Sequence, residues 1–483
     1  MLDLLVIGGG VNGCGIARDA AGRGLRVALV ERGDLAGATS SASSKLVHGG
    51  LRYLEQYEFR LVREALAERE VLLRIAPHIV WPLRFVLPHR PAMRPRWMIR
   101  AGLWLYDHLA RRVSLPGSET LDPRQDLRGA PLRDDITSAF AYSDCWVDDA
   151  RLAVLNARDA ARRGADIRVR CEFLGATRDA EGWTCKLRDS TGAETTLRAR
   201  ALVNAAGPWV MQVLGVMQVP APGRVRLVRG SHIVLPALYQ GDHAFILQND
   251  DGRVVFVIPY EQEFSLVGTT DVVQETTEPP RCTDAEADYL CAAVAQQFRV
   301  APKLADIVRR YSGVRPLFDD GEANPSAITR DYVLKLDQDG APLLSVFGGK
   351  ITTYRRLAEE ALEKLQAPGA AWTAGASLPG GDFSGGLPAL DADLAARHPW
   401  LPVALLRRLA RAYGTETTRL LGEATTMAEL GRDYGAGLTD RELDWLRAEE
   451  WARTAEDVLW RRGKLGLHLT AEQQATVAAR MGG

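Results

Sequence analysis

The chain has 483 residues and is 46% hydrophobic, more than one core ordinarily holds, so two or three domains are expected. Sixty basic side chains against sixty-one acidic ones leave a net charge of −1, which gives no global reason to expect nucleic acid as a partner. Six cysteines (Cys14, Cys145, Cys171, Cys185, Cys282 and Cys291) lie far apart without a CxxC pair, which suits a reducing compartment better than a disulfide or zinc framework, and no metal site is expected. The chain opens directly on its first strand and contains no apolar run near the ~18 residues of a spanning helix, so neither a signal peptide nor a membrane span is expected.

In that first strand Leu4, Leu5, Val6 and Ile7 suit a buried parallel position, and Ile16, Ala17, Ala20 and Ala21 give the following helix a small-residue face that can lie close on a sheet. Gly8, Gly10 and Gly13 carry GxGxxG spacing between them: one for the turn, one for approach of a pyrophosphate to a helix N-terminus, one for close helix–strand packing. A second strand over 26–30 leads to Glu31, whose carboxylate can accept hydrogen bonds from a ribose. Strand, turn, helix and terminal acid together predict a dinucleotide-binding βαβ unit.

The stretch from Thr39 to Tyr53 (TSSASSKLVHGGLRY) is rich first in hydroxyls and then in glycine. Its hydroxyls and free N–H groups can bind a pyrophosphate and the polar edge of a flavin, and Gly49-Gly50 let a flat ring lie against the chain. The run from Gly8 through Tyr53 resembles the FAD-dependent, membrane-associated sn-glycerol-3-phosphate dehydrogenases, which belong to the amino-acid-oxidase-like flavoproteins. The resemblance continues in order through YSDCWVDDARL (142–152), GSHI (230–233), YSGVRP (311–316) and SVFGGK (345–350).

It implies an α/β fold. A Rossmann-type, glutathione-reductase-like FAD domain of the amino-acid-oxidase subtype would be assembled from 1–68, 141–208 and 319–370, with an α+β substrate domain from 69–140 and 209–318 interleaved. FAD would be held by Gly8, Gly10, Asn12, Gly13, Glu31, Thr39, Ser40, Ser43, Ser44, Leu46, His48, Phe173, Ala205, Gly207, Gly349 and Thr352. The residues themselves agree at two places. Ala201 to Gly207 reads as a buried strand ending in small side chains, where a backbone can meet a cofactor. Leu343 to Phe347 reads as a strand, followed by a Gly348-Gly349 turn and a helix over 352–365 whose N-terminus can stabilise negative charge on a reduced flavin.

No second strand-GxGxxG-helix unit occurs, so a nicotinamide domain is not expected. Glycine and proline make up nine of the twenty-two residues over 367–388, and 371–388 reads as a linker to an all-α cap domain over 389–483. Leu405, Leu409 and Tyr413, then Leu443, Leu446 and Trp451, mark apolar helix faces there, and Trp445, Trp451 and Trp460 read as core packing.

Residues 84–112 hold seven arginines and one aspartate, a net charge of +6. A helix wound from Arg96 sets Arg96, Arg100, Asp107 and Arg111 on one side and Met98, Ile99, Leu103, Leu105, Tyr106 and Leu109 on the other. That pattern fits a helix lying on an anionic membrane surface, or one packed on its own substrate domain; the family's peripheral membrane habit favours the first.

A flavin dehydrogenase of a phosphorylated alcohol needs cations for the phosphate and a proton acceptor for the hydroxyl. The resemblance brings Arg52, Tyr53, Arg315, Arg330 and Lys350 to the substrate side. Arg52, Tyr53, Arg330 and Lys350 are read as substrate-binding, while Arg315 either holds the phosphate or stabilises the alkoxide forming at C2. His232 is the candidate base, with an orienting or core histidine as the rival role. The expected reaction is oxidation of sn-glycerol 3-phosphate to dihydroxyacetone phosphate, with hydride to FAD and electrons passed to a membrane quinone. The expected location is cytoplasmic, at the inner face of the cytoplasmic membrane; the reading leaves room for a homodimer without fixing it. An oxygen-using glycerophosphate oxidase, an amino-acid oxidase and a non-catalytic flavin-binding module are the alternatives.

Overall fold

The computed structural model describes residues 1–91, 93–110, 114–319 and 331–482, with the backbone alone described for Arg52, Glu55 and Gln56. Its first sheet has eight strands. The parallel run is Leu343–Phe347, Glu194–Asn204, Leu2–Ile7, Val27–Glu31 and Asp166–Val169, closed at one edge by the antiparallel Val333–Asp337 and extended by Trp183–Arg188 and Glu172–Arg178. Central parallel strands have both faces covered, which is why Leu4, Leu5, Val6 and Leu29 can all be apolar in succession with their neighbours.

The helix Val11–Gly22 packs between this sheet and the helices Asp149–Arg162 and Tyr354–Lys364. Ile16, Ala17 and Ala20 are fully buried, as the small-residue face predicts. A Cβ on Gly13 would stand 2.0 Å from the Gly8 carbonyl oxygen, and Gly8 itself has φ +113, so both positions require glycine for the strand to turn straight into the helix.

The second sheet has ten strands, and its long members are Val80–His89, Ser138–Val147, Arg224–Pro236 and Arg309–Asp319. Two boundaries expected from the sequence fall inside elements. The strand Ser138–Val147 runs through residue 141 and belongs wholly to this second sheet, pairing with Val80–His89, and the helix Phe59–Ile75 runs through residue 68. The chain changes partner sheets only after completing an element, because cutting a strand midway would strand its ladder hydrogen bonds.

The segment 371–388 is also more than a tether. Trp372 lies against Gly22, with its Nε1–H donated to the Asp19 carbonyl, and Leu378 joins the core of the first sheet. Its glycines and prolines set turns on a surface the segment is packed against.

Beyond it, Gly386–Arg397, Val403–Tyr413, Thr417–Leu421, Asp440–Glu450 and Ala471–Met481 form a helical unit around Leu405, Leu409, Tyr413, Leu443 and Leu446. Trp445 is in this core, Trp460 packs against it half-buried beneath Arg309, and Trp451, which caps its helix at φ +57, packs against the core of the first sheet. Buried ion pairs lock the unit to the first sheet: Arg151 bonds both Glu450 oxygens at 2.9 and 3.0 Å, and Arg462 bonds both Asp34 oxygens at 2.6 and 2.7 Å.

The basic segment divides between two elements. Arg84 lies on a strand and Arg90 just beyond it, paired with Glu119 and Asp250, while the helix spans Arg96–His108. Its apolar residues do not form the single face expected. Leu103 and Tyr106 are buried against the second sheet, whereas Trp97 and Trp104 are 70% and 58% exposed and Met98 is exposed beside them. Arg111 and Arg112 lie outside the described residues. Among the described residues, no helix is long and apolar enough to cross a membrane.

Candidate active site

A cavity of about 1300 Å³ runs from the N-terminus of the first helix to the second sheet. Of the expected site residues that are described, all but Gly13 line it, the latter serving the helix–strand contact beneath. The side chain of Arg52 and the whole of Arg330 lie outside the described residues.

At one end, Glu31 accepts the Gly9 N–H and the Gly33 N–H, each at 2.7 Å, so the acid expected at a ribose also fixes the glycine turn; burial pushes its carboxyl up. Ser40 Oγ accepts the Val11 N–H at 2.9 Å, tying the hydroxyl-rich loop to the helix N-terminus. Ala205, Gly207 and Phe173 form the facing wall.

The late glycine turn arrives from the other side. Asn12 donates its amide N–H to the Gly348 carbonyl at 3.1 Å, while its Oδ1 is buried without a hydrogen-bond partner among the described residues. The expected helix over 352–365 begins as a 3₁₀ turn, Ile351–Thr353, before Tyr354–Lys364 continues it, and the Thr352 hydroxyl is engaged with the His48 backbone.

The remaining loop hydroxyls have internal partners. Thr39 donates to the Val314 carbonyl at 2.7 Å, and Ser43 donates through both N–H and hydroxyl to Asp149, which also pairs with buried Lys45 at 2.8 Å. Ser44 Oγ is 2.8 Å from His232 Nε2. Sequence reasoning missed Asp149, Lys45 and Tyr311 as organisers of this loop. The first lies in the 142–152 run and Tyr311 opens the 311–316 run, but nothing local to either shows where its side chain ends.

His232 sits mid-strand opposite Tyr311 and stacks on that ring at 4.8 Å with 11° between planes. Desolvation first, then the Lys45 and Arg315 charges, push its imidazolium down to about 3, so the ring is neutral, and its Nδ1 has no partner among the described residues. The Arg315 guanidinium faces the same cavity, half-exposed, bonded to Asp271 and 3.4 Å from the Thr270 carbonyl. Lys350 places its ammonium 3.9 Å from the centre of the Tyr53 ring. A neutral imidazole and two cations thus share one concave site. Arg461, from the C-terminal unit, also reaches the cavity wall while bonded to Asp34 at 2.6 Å.

The family model for FAD dependent oxidoreductases matches residues 3–355. The chain belongs to that family. The glycine cradle, the helix N-terminus and the orphaned Asn12 oxygen fit the FAD this family uses, with Gly8, Gly10, Asn12 and Glu31 at one end of its cavity and Gly349 and Thr352 at the other. Residues 371–482 match the model of the C-terminal domain of alpha-glycerophosphate oxidase. This FAD-dependent oxidoreductase is 54% identical to a glycerol-3-phosphate dehydrogenase of Pseudomonas aeruginosa, across 98% of this chain and 93% of that one. It is 52% identical to a D-erythritol 1-phosphate dehydrogenase of Brucella abortus, across 98% and 96%. Among solved structures, the glycerol-3-phosphate dehydrogenase from Bacillus halodurans complexed with FAD superposes with a TM-score of 0.78 at 26% identity, covering 100% of this chain and 94% of that one.

Proposed function

We propose that the enzyme oxidises sn-glycerol 3-phosphate to dihydroxyacetone phosphate and passes the electrons to a membrane quinone. The observation that carries this reading is the pairing of a neutral, buried His232 with the Arg315 and Lys350 cations on one cavity. Arg315 and Lys350 hold the phosphate dianion, with Arg52 and Arg330 as further cations from the sequence, and His232 takes the C2 hydroxyl proton while Ser44 and Tyr311 fix its ring. Bound FAD supplies the hydride acceptor for the C2–H. Desolvation first, then Lys45 and Arg315, depress His232; the dianion opposes the part due to Arg315, so its charge shifts the imidazole toward greater basicity.

The dehydrogenases it resembles support a phosphorylated polyol substrate, and the D-erythritol 1-phosphate relative gives a specific reason to include four-carbon substrates in any assay. A cation pair fits a phosphate better than the single carboxylate of an amino acid. The exposed Trp97, Met98 and Trp104, flanked by Arg94, Arg96 and Arg100, suit an anionic lipid surface and support a peripheral position at the cytoplasmic membrane. The test is a turnover assay with vesicles carrying a quinone, run on glycerol 3-phosphate, erythritol 1-phosphate and a panel of amino acids. Quinol formation matching dihydroxyacetone phosphate supports the reading; stoichiometric hydrogen peroxide with idle quinone makes the enzyme an oxidase, and turnover of amino acids alone removes the phosphate site.

A further inference from the structure

A second cavity, about 210 Å³, lies at the seam where the C-terminal unit meets the loop 37–42 and the strands Val254–Tyr260 and Arg309–Asp319. Trp209, Tyr260, Tyr311 and Trp460 give it aromatic walls. Two of its cations are already committed: Lys45 to Asp149, and Arg461 to Asp34 and Asp457. The other two are held more loosely, each at the far limit of ion-pair distance from one carboxylate. The Lys464 side chain is 6% exposed and its ammonium has no hydrogen-bond partner among the described residues; its ion pair with Asp148 is long, at 3.7 Å. Arg309 lies flat over Trp460, its guanidinium carbon 3.1 Å from the ring centre and its nearest carboxylate, Glu456, 3.9 Å off. Burial pushes that guanidinium below its ordinary value.

An ammonium offers three N–H donors and a guanidinium five, and a buried donor without an acceptor is costly to leave so. Here the buried Lys464 ammonium is the donor in that position; it shares with the part-exposed Arg309 and the carboxylates Glu278 and Glu456 one void that is large enough for a phosphate-sized ion with a few waters and too small for a second nucleotide. Arg309, which lines the void and stacks over Trp460, carries the planar fork that matches a tetrahedral oxyanion.

We propose that this seam cavity is a binding site for a phosphate dianion, free or as the ester of a small polyol, held between Lys464 and Arg309. The site is separate from the substrate cations Arg315 and Lys350 and does not depend on which alcohol the enzyme oxidises. Its occupant would bridge the C-terminal unit to a strand that carries Tyr311, the ring stacked on His232, two residues from Arg309. Occupancy therefore stiffens the wall behind His232.

The test is titration calorimetry on FAD-loaded protein in phosphate-free buffer, with inorganic phosphate in one arm and glycerol 3-phosphate in the other, on wild type, Lys464→Gln and Lys350→Gln. The proposal expects a phosphate-binding event that survives Lys350→Gln and weakens at least tenfold in Lys464→Gln, with FAD content and flavin reduction in Lys464→Gln within about twofold of wild type. It also expects phosphate to raise the melting temperature of wild type by roughly 2–4 °C more than that of Lys464→Gln. If the event that Lys464→Gln weakens appears with glycerol 3-phosphate only, the site takes the ester; with both, it takes the free ion. Identical titrations of wild type and Lys464→Gln would mean that the cavity holds water alone and would overturn the proposal. Should Lys464→Gln not fold, tungstate soaked into crystals of the wild-type holoprotein decides: anomalous density beside Lys464 supports the site, and density elsewhere or none refutes it.

Discussion

Replacing His232 with asparagine, which keeps a hydrogen-bonding group near Ser44 but cannot titrate, should make the protein less sensitive to acid. His232 is 3% exposed, and desolvation with the Lys45 and Arg315 charges holds its pKa near about 3, against an ordinary value of about 6.5 in an unfolded chain. Between those values the unfolded state binds a proton that the folded state refuses, so this group's effect on stability is absent above pH 6.5 and grows unfavourable as pH falls. Each pH unit below the unfolded value costs about 1.4 kcal/mol, so at pH 5 the wild type loses about 2 kcal/mol that the asparagine variant does not. Urea unfolding of both FAD-loaded proteins at pH 7 and pH 5 measures it as a difference of differences, which cancels every other titrating group the two share. Parallel losses in the two proteins would show that His232 titrates as an exposed histidine does, and would remove the physical basis for its being neutral and ready to accept a proton.

Gly10→Val should fold yet stay colourless, because a Cβ there meets only Ser40 Oγ at 3.1 Å within the protein but enters the space of the cofactor; normal FAD content would contradict this. Glu450→Gln leaves the fully buried Arg151 guanidinium without its counter-charge and should cost about 3–5 kcal/mol, read as a fall in the denaturation midpoint, with much of the loss recovered in the Arg151→Met/Glu450→Leu pair; a neutral single variant would show that the seam is not held by that pair. Changing Trp97 and Trp104 together to serine should reduce sedimentation with anionic vesicles several-fold at an unchanged melting temperature, since neither ring is in the core. A lowered melting temperature with unchanged vesicle binding would assign the helix to internal packing.

The parts of this molecule that were legible in the sequence are those whose physics is local. Gly8, Gly10 and Gly13 announce a strand-turn-helix because the constraint each satisfies lies within a few residues, and the leucines of the C-terminal helices repeat at the spacing of one buried face. The second sheet was harder, because the strand Ser138–Val147 is buried on both faces and carries no alternation to mark which sheet it joins. The helix Arg96–His108 misled for a related reason: its apolar residues are too widely spread for periodicity to say that Leu103 and Tyr106 face inward while Trp97 and Trp104 face out. Least legible were the contacts that prepare the site, Ser44 to His232 and Lys45 to Asp149, since residues 188 and 104 positions apart leave no local signal of meeting.

The central claim is that this cavity delivers a hydride from a phosphorylated alcohol to FAD. Anaerobic stopped-flow mixing of the purified holoprotein with glycerol 3-phosphate tests it directly, followed at roughly 450 nm, the usual band of an oxidised flavin. The account predicts full bleaching in a single turnover, no bleaching with plain glycerol, and a rate at least ~10²-fold lower in a His232→Ala variant with normal FAD content. A flavin that stays oxidised with every phosphorylated polyol offered would contradict it.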